Sequence, residues 1–487
     1  MAKNNGVVGN LAWKFAERIF AQLVTTVVSI VLARLLLPSD YGTITLVTSF
    51  ITIANVFVSD GFGSALIQKK DADALDFSSV LYFNISFSVL LYLILFFAAP
   101  YIAAFFGEGY EVLSPVLRVL GLRIILSAIN SVQQAYVSKK MIFRKFFYAT
   151  LIGTIVSAVV GLWMAYTGFG VWALVAQYLT NTTMGTIFLA ISLKKKPLLK
   201  FSFHRLKQLL GFGSRILGLN LLITCYGELR AILIGKFYTT DDLALYKKGD
   251  QFPSLLISNI NTSISSVLFP RFAQIQDNAQ KVKEVAKKSI RLSFYIVAPL
   301  LIGLAAVSDN FVIVFLTEKW KGCIPFIKLF CLNSLFYTVH STNMQVIKAM
   351  GRSDISLKLE IVKKVIEIAF LIVVVRFGVI WIASAMVITS TMFTYLNCVP
   401  TKKLINYSFF EQMKDILHTF IMVAIMFVVV RCVGLLSLNN GLVLIIQVVV
   451  GAATYIILSA LSKNREFAEI KNLLLNMLKV RRNKSVE

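Results

Sequence analysis

Charged residues inside long apolar runs are where this sequence could do chemistry. A charged side chain in hydrocarbon costs at least ~2.5 kcal/mol on insertion scales, so one that persists is expected to face a cavity or a partner. Lys14, Glu17 and Arg18 lie in the first such run, Asp60 in the second, and Arg118 and Arg123 in the fourth. Arg215, Glu228 and Arg230 lie in the seventh, Lys247, Lys248 and Asp250 in the eighth, and Lys328 near one end of the tenth. On a helix Lys14 and Arg18 share a face at i,i+4, with Glu17 beside them as a partner for Lys14, and Lys247 and Asp250 form an i,i+3 pair. Most of these groups are positive. Such a lining would suit phosphate oxygens, which the guanidinium fork meets bidentately.

Each residue also has a plainer use. Lys14 and Arg18 are close enough to the end of their run to snorkel to the surface. Arg215 sits among Gly211, Gly213 and Gly218, which allow close helix approach as readily as a cavity. Glu228 and Arg230 point to different faces and fit a structural ion pair as well as a site. Arg118 and Arg123 are about 500° of helix rotation apart, so one of the two is expected to face a cavity. Of Lys247 and Lys248, one can line a cavity while the other snorkels. Asp60 reads either as a cation or proton site or, with Gly61 and Gly63 after it, as a helix-end cap.

Enzymatic chemistry finds little support. The three histidines, His204, His340 and His418, are far apart, and no GxxxxGK[ST] phosphate loop or HExxH pair occurs. No outer loop gathers carboxylates for a metal-dependent transferase. The five cysteines are scattered without a CxxC pair, which points to packing and to neither a disulfide framework nor a zinc site. No metal and no bound cofactor is expected, a coupling H+ or Na+ aside.

The elements that hold these residues are membrane spans. Of 487 residues 57% are apolar and 15% charged, against roughly 45–50% and about 25% in soluble domains, and the mean hydropathy is +0.76. Apolar runs long enough to cross a ~30 Å hydrocarbon core recur throughout. Fourteen spans are expected, at about 10–36, 42–66, 78–100, 113–137, 146–167, 170–193, 211–235, 243–270, 290–316, 325–349, 358–376, 378–400, 416–435 and 441–462. The net charge of +25 would suit nucleic acid if it lay on a soluble face, but the basic residues sit between spans. Nucleic acid is therefore not an expected partner, whereas membrane lipids are. Thirty-six Lys and Arg fall in one alternate set of loops and tails, and six in the other. The positive-inside rule then places both termini in the cytoplasm. The first span, with no small-residue cleavage site after a short apolar core, reads as a retained anchor. The expected class is all-α and polytopic.

Two pairs of segments match at nearly one offset. Ala33 to Asp40 aligns with Gly235 to Asp242, 202 residues on, and Phe169-Gly170-Val171 aligns with Phe377-Gly378-Val379 at 208, placing Arg144 on Arg352. Two six-span lobes follow, residues 1–193 and 211–400, related by a pseudo-two-fold along the membrane normal. Residues 194–210 form a basic cytoplasmic linker, 401–462 two extra spans, and 463–487 a basic tail. In that tail Phe467, Ile470, Leu474 and Met477 fall at helical spacing, which suggests an amphipathic helix on the inner leaflet.

The string Ala33-Arg34-Leu35-Leu36-Leu37-Pro38-Ser39-Asp40-Tyr41-Gly42, with Gly61 to Gln68 after it, resembles the opening of bacterial Wzx-type polysaccharide flippases. Leu245 to Pro253, Ala349-Met350-Gly351-Arg352 and Phe169-Gly170-Val171-Trp172 resemble further parts of them, over roughly residues 7–400. The resemblance implies the multidrug/oligosaccharidyl-lipid/polysaccharide exporter superfamily, with the fold of the lipid II flippase MurJ and of multidrug exporters. It implies transport of an undecaprenyl-pyrophosphate-linked oligosaccharide from the inner to the outer leaflet of the bacterial cytoplasmic membrane, alongside other polysaccharide-assembly proteins. The family's basic cavity residues would correspond here to Arg18 and Arg215. Lys14, Arg18, Arg123, Arg215 and Lys247 are the expected headgroup ligands, and Glu17, Asp60 and Asp250 the candidates for ion coupling. A drug or cation antiporter of this fold would instead line its cleft with carboxylates, and a polysaccharide polymerase or ligase would carry a large outer loop.

Overall fold

Inside lipid a backbone can satisfy its own N–H and C=O groups only in helices or closed barrels. This chain does so in helices. The computed structural model describes residues 22–59, 61–194, 198–462 and 464–472, and among them there is no strand. The elements are α1 (Gln22–Leu35), α2 (Pro38–Ser59), α3 (Gly61–Gln68), α4 (Ala74–Phe106), α5 (Leu113–Lys140), α6 (Phe143–Tyr166), α7 (Val171–Leu193) and α8 (Phe203–Phe237). They continue with α9 (Thr240–Gln274), α10 (Ala279–Phe311), α11 (Ile324–Leu335), α12 (Tyr337–Ala349), α13 (Ser353–Val374), α14 (Val379–Ile405), α15 (Phe409–Val433) and α16 (Asn440–Leu461). Ten helical stretches among the described residues are long and apolar enough to cross a membrane. They turn large apolar side chains outward, Phe97, Trp163, Leu222 and Trp381 among them. A surface of that kind is covered only by lipid, and the chain is a multi-pass membrane protein. Helices α7, α9 and α13 coincide with three further expected spans but are not among the ten, and the first expected span lies partly outside the described residues.

The chain divides into two compact units, Met1–Ala244 and Leu245–Glu487. In the first, α5 packs against α2, α4 and α7, and α6 pairs with α7. That pairing needs Gly153, where a Cβ would lie 3.0 Å from the Asn181 carbonyl oxygen and 3.1 Å from the Gly185 nitrogen. Helix α8 packs on α2, α3 and α4, so the break between units falls after it and not at the linker of residues 194–210. The start of α8 is fixed by charge. Asp76, fully buried, accepts from Lys69 Nζ at 2.8 Å and lies 3.8 Å from Arg205. Asp73 and Asp76 cap α4 reciprocally. The Asp76 N–H donated to Asp73 holds that carboxyl below the usual carboxylate range, and the Arg205 charge adds to the effect. Within the linker, the Leu198 and Ser202 N–H groups donate to Ser78 and Ser79 at 2.8 and 3.0 Å. Arg205 thus serves protein carboxylates, although the sequence suggested lipid headgroups.

In the second unit α10 runs beside α11, α12, α15 and α16, with Phe294, Tyr295, Val339, Met422, Met426 and Tyr455 in one core. Helices α15 and α16 are therefore part of that core and not an outlying pair. At the basic end Lys287 and Arg291 meet Asp415 at 3.2 and 2.5 Å, and Tyr407 donates to the same carboxylate at 2.8 Å. In the tail Phe467 and Ile470 pack on this core, while Leu474 and Met477 lie outside the described residues.

The repeat shows itself in the turns. Before α2 the Leu37 N–H donates to Asp40 Oδ2 at 3.0 Å, and before α9 the Thr239 N–H donates to Asp242 Oδ2 at 3.2 Å. Helices α5 and α12 both end in a left-handed residue, Met141 and Gly351, followed by an N–H that reaches back five residues, Ile142 to Val137 and Arg352 to Ile347, each at 3.1 Å. Gly170 and Gly378, both at positive φ, open α7 and α14. The α5 and α12 ends thus register at 210 residues, which sets Ile142, and not Arg144, against Arg352.

Gly42 tests the packing of the first unit, because a Cβ there would lie 1.9 Å from the Thr240 carbonyl oxygen, which as backbone cannot give way cheaply. Gly42→Ala is expected to lower the detergent-solubilised unfolding midpoint by several degrees. Gly218→Ala, with nothing within 4 Å of the added atom, should leave it unchanged or raise it. Equal midpoints for the two variants would count against the described α2–α9 approach.

Candidate functional site: a polar cavity in the first unit

Helix α5 carries Arg123, Ser127, Asn130, Ser131, Gln134 and Ser138 at spacings of three and four residues. That is one stripe of a helix, polar where its other faces are apolar. The stripe lines a cavity of about 490 Å³ enclosed by α2, α3, α5, α6 and α7. Asn55 and Ser59 come from α2, Gly63 and Ser64 from α3, Thr150 from α6, and Asn181 and Thr182 from α7. The cavity extends toward the end of the unit that carries Lys139, Lys140, Arg144 and Lys145.

Arg123 is the cation of this wall. Its Nε donates to Thr182 Oγ1 at 3.0 Å, and its guanidinium carbon lies 5.4 Å from the Tyr178 ring centroid. Among the described residues it has no carboxylate partner. The amides around it are cross-linked: Asn130 donates to Thr186 Oγ1 at 3.2 Å, Gln134 donates to Asn130, and Asn181 donates to Ser157 Oγ at 3.2 Å. Asn55 Oδ1 is buried and accepts from no described group. An unpaired guanidinium, an idle acceptor and a row of hydroxyls and amides can bind an anion that also carries hydroxyl groups. No carboxylate appears among the described lining residues, so a cationic ligand finds no counter-charge there.

The other residues singled out in the sequence fall elsewhere or outside the description. Lys14, Glu17, Arg18 and Asp60 lie outside the described residues, and of Arg215 only the backbone, within α8, is described. Arg118 donates to the Phe96 carbonyl at 3.1 Å and stacks on its ring at 4.6 Å, on the face of α5 away from the cavity. Glu228 accepts from Ser49 at 2.8 Å, and Arg230 donates to Tyr226 at 2.6 Å. Lys248 is buried with its ammonium 5.3 Å from the Trp320 ring, Lys247 is half-buried, and Asp250 accepts from Ser254 at 2.8 Å. Lys328 and Arg431 both meet Asp309, the first at 3.0 Å. Sequence reasoning picked Arg123 by its charge but missed the neutral stripe below it. Its signal was a polar 3.6-residue period inside an apolar span.

A family model described as "Polysaccharide biosynthesis protein" matches residues 31–325, more than half of the chain. The chain belongs to that family. The teichuronic acid biosynthesis protein TuaB of Bacillus subtilis is 26% identical over 311 residues, 62% of this chain and 63% of TuaB, so the chain spans less than two thirds of that relative. The lipopolysaccharide biosynthesis protein WzxC of Escherichia coli is 24% identical over 351 residues, 70% of each chain. The fold is that of the lipid II flippase MurJ in an inward closed conformation, with a TM-score of 0.74 and 15% identity over 93% of this chain and 98% of that one. An inward-facing multidrug exporter structure shares it less fully, at 0.63 and 18% identity over 79% and 94%. The Wzx-type resemblance and the all-helical exporter fold thus stand.

If water fills the cavity, a cysteine there is reachable by a charged thiol reagent. With the exposed Cys225 and Cys432 replaced by Ser, Ser127→Cys is expected to react with an impermeant methanethiosulfonate within minutes, while the buried Cys398 stays protected. Equal protection of both would mean that the cavity is closed and dry.

Proposed function

We propose that this protein carries a lipid-linked oligosaccharide across the bacterial cytoplasmic membrane, termini inside, with the first-unit cavity receiving the phosphate-sugar head. The observation that carries this reading is Arg123, held among neutral hydroxyl and amide groups with no carboxylate beside it among the described residues. A phosphate entering the bilayer interior needs a fixed cation, because an unpaired ion in apolar surroundings is prohibitively costly. Arginine offers a planar fork to its oxygens, and the Ser, Thr, Asn and Gln side chains of the stripe offer partners to sugar hydroxyls. The names of TuaB and WzxC, teichuronic acid and lipopolysaccharide, supply the cargo class. In this reading the head is undecaprenyl pyrophosphate, the tail stays in lipid, and movement proceeds by alternating access. Outward passage of an anion from a negative interior is favoured by ~2.3 kcal/mol per charge per 100 mV. Lys14, Arg18, Arg215 and Lys247 are further candidate cations for the head, and Glu17, Asp60 and Asp250 for an H+ or Na+ that drives the cycle. A drug or cation exporter fits less well, for want of a carboxylate among the described lining residues.

Arg123→Ala is expected to cut surface polysaccharide at least tenfold in a strain lacking the chromosomal copy, at unchanged membrane levels of the protein. Arg123→Lys should retain part of the export, since a point charge survives without the fork. Normal polymer from the alanine variant would remove Arg123 from the headgroup site.

A further inference from the structure

The matched helix ends put the two units in register, and the register points to a second site. At the 210-residue offset of Met141 and Gly351, the cavity residues Asn130 and Thr150 fall on His340 and Glu360, and Gly153 falls on Lys363. A level that is neutral in the first unit is titratable in the second. Lys363, 3% exposed, is paired with Glu360, and Lys364 with Glu367 at 2.9 Å. Around the His340 imidazole, α12 contributes Tyr337, whose ring centroid is 5.9 Å away, and Lys348, while α13 contributes Lys363, Lys364 and Glu367.

From α14 comes Asn397, fully buried, whose side-chain amide contacts His340 Nδ1. Its Oδ1 is left without a partner. With the amide Nδ2 as donor, His340 is neutral, with its proton on Nε2 and a lone pair on Nδ1. A proton added to that lone pair makes the ring an imidazolium, and Nδ1 becomes a donor. A half-turn of the Asn397 amide then presents Oδ1 to it, and a neutral contact becomes a charge-assisted one of about twice the strength. The contact accommodates both protonation states by rotation about one side-chain bond. Glu367 is the carboxylate facing the ring, beside the ammonium groups of Lys348, Lys363 and Lys364.

We propose that His340 and Asn397 form a proton-binding site of the second unit, at which uptake of one proton re-sets the contact between α12 and α14. The site stands on the second unit alone; that its proton drives an alternating-access cycle rests on the transporter reading.

The chain has only three histidines, so the full-length protein, labelled with 15N-histidine in lipid nanodiscs, can be followed by side-chain NMR from about pH 5 to about pH 9, the range in which histidine switches. His340→Gln assigns the signal. The expected result is passage of His340 from the Nε2-protonated neutral ring to imidazolium in a single step. Glu367→Gln should weaken proton binding about tenfold, and Asn397→Leu should alter the shift of the Nδ1 resonance. A His340 that keeps one protonation state across the range overturns the proposal, as does a titration that neither variant changes. If either variant fails to fold, the wild-type titration alone decides. The readout needs no cargo, so loss of the polysaccharide reading would leave the result intact.

Discussion

A guanidinium kept in a lipid-embedded bundle, with no carboxylate against it among the described residues, is the constraint around which the first unit is arranged. Neutralising Arg123 by a neighbouring Asp or Glu would solve the desolvation problem and close the site in one step. Instead, charge is tolerated by surrounding it with neutral dipoles: the Thr182 hydroxyl, the Tyr178 ring face and the hydroxyl and amide stripe that α5 continues below it. That solution requires room, and the room has a structural cause. The α6–α7 pair can close on itself at Gly153 and Gly185, where no side chain fills the gap, so the space needed by the polar wall opens on the α5 side of the pair.

The charges elsewhere show what the alternative looks like. Asp309 holds two cations, Lys328 and Arg431, and joins α10, α11 and α15. Arg118 spends its guanidinium on the Phe96 carbonyl and ring, and Lys248 lies over Trp320. These groups hold helices together. Arg123 differs from them in lining a cavity, with donors unused among the described residues.

Much of the fold was legible because the signals for it are one-dimensional. Apolar length set the helices, and the expected limits at 113–137, 378–400 and 441–462 lie within a few residues of α5, α14 and α16. The turn residues Asp40, Asp242, Gly170 and Gly378 exposed the repeat before any coordinates. The site was less legible, because hydropathy reports depth and not rotation about the helix axis. Arg118 and Arg123 look alike in sequence, yet five residues of α5 separate a packing group from a cavity group. The charges of α13 were assigned to a loop and its first turns, whereas the helix begins at Ser353 and buries Lys363 among its neighbours. Likewise α8 looked like the opening helix of the second lobe, and packing alone assigns it to the first unit.

The repeat also explains why the two units carry different chemistry at one level. A duplicated bundle starts with the same cavity twice, and a polar cavity in lipid is costly unless it is used. In the first unit the level of Asn130 and Gly153 keeps small and neutral side chains, and the space stays open. In the second, the long side chains of His340, Glu360 and Lys363 stand at the same register, and Lys363 is buried where its counterpart is a glycine. Charge at this level has to be balanced within the protein. The balance found there is close: Lys363 against Glu360 and Lys364 against Glu367 cancel. A neutral imidazole adjoining cancelled pairs is a group whose charge can change without stranding another. In the first unit the described lining holds Arg123 among neutral groups, so at this register the two units differ in which ionisable side chains they carry.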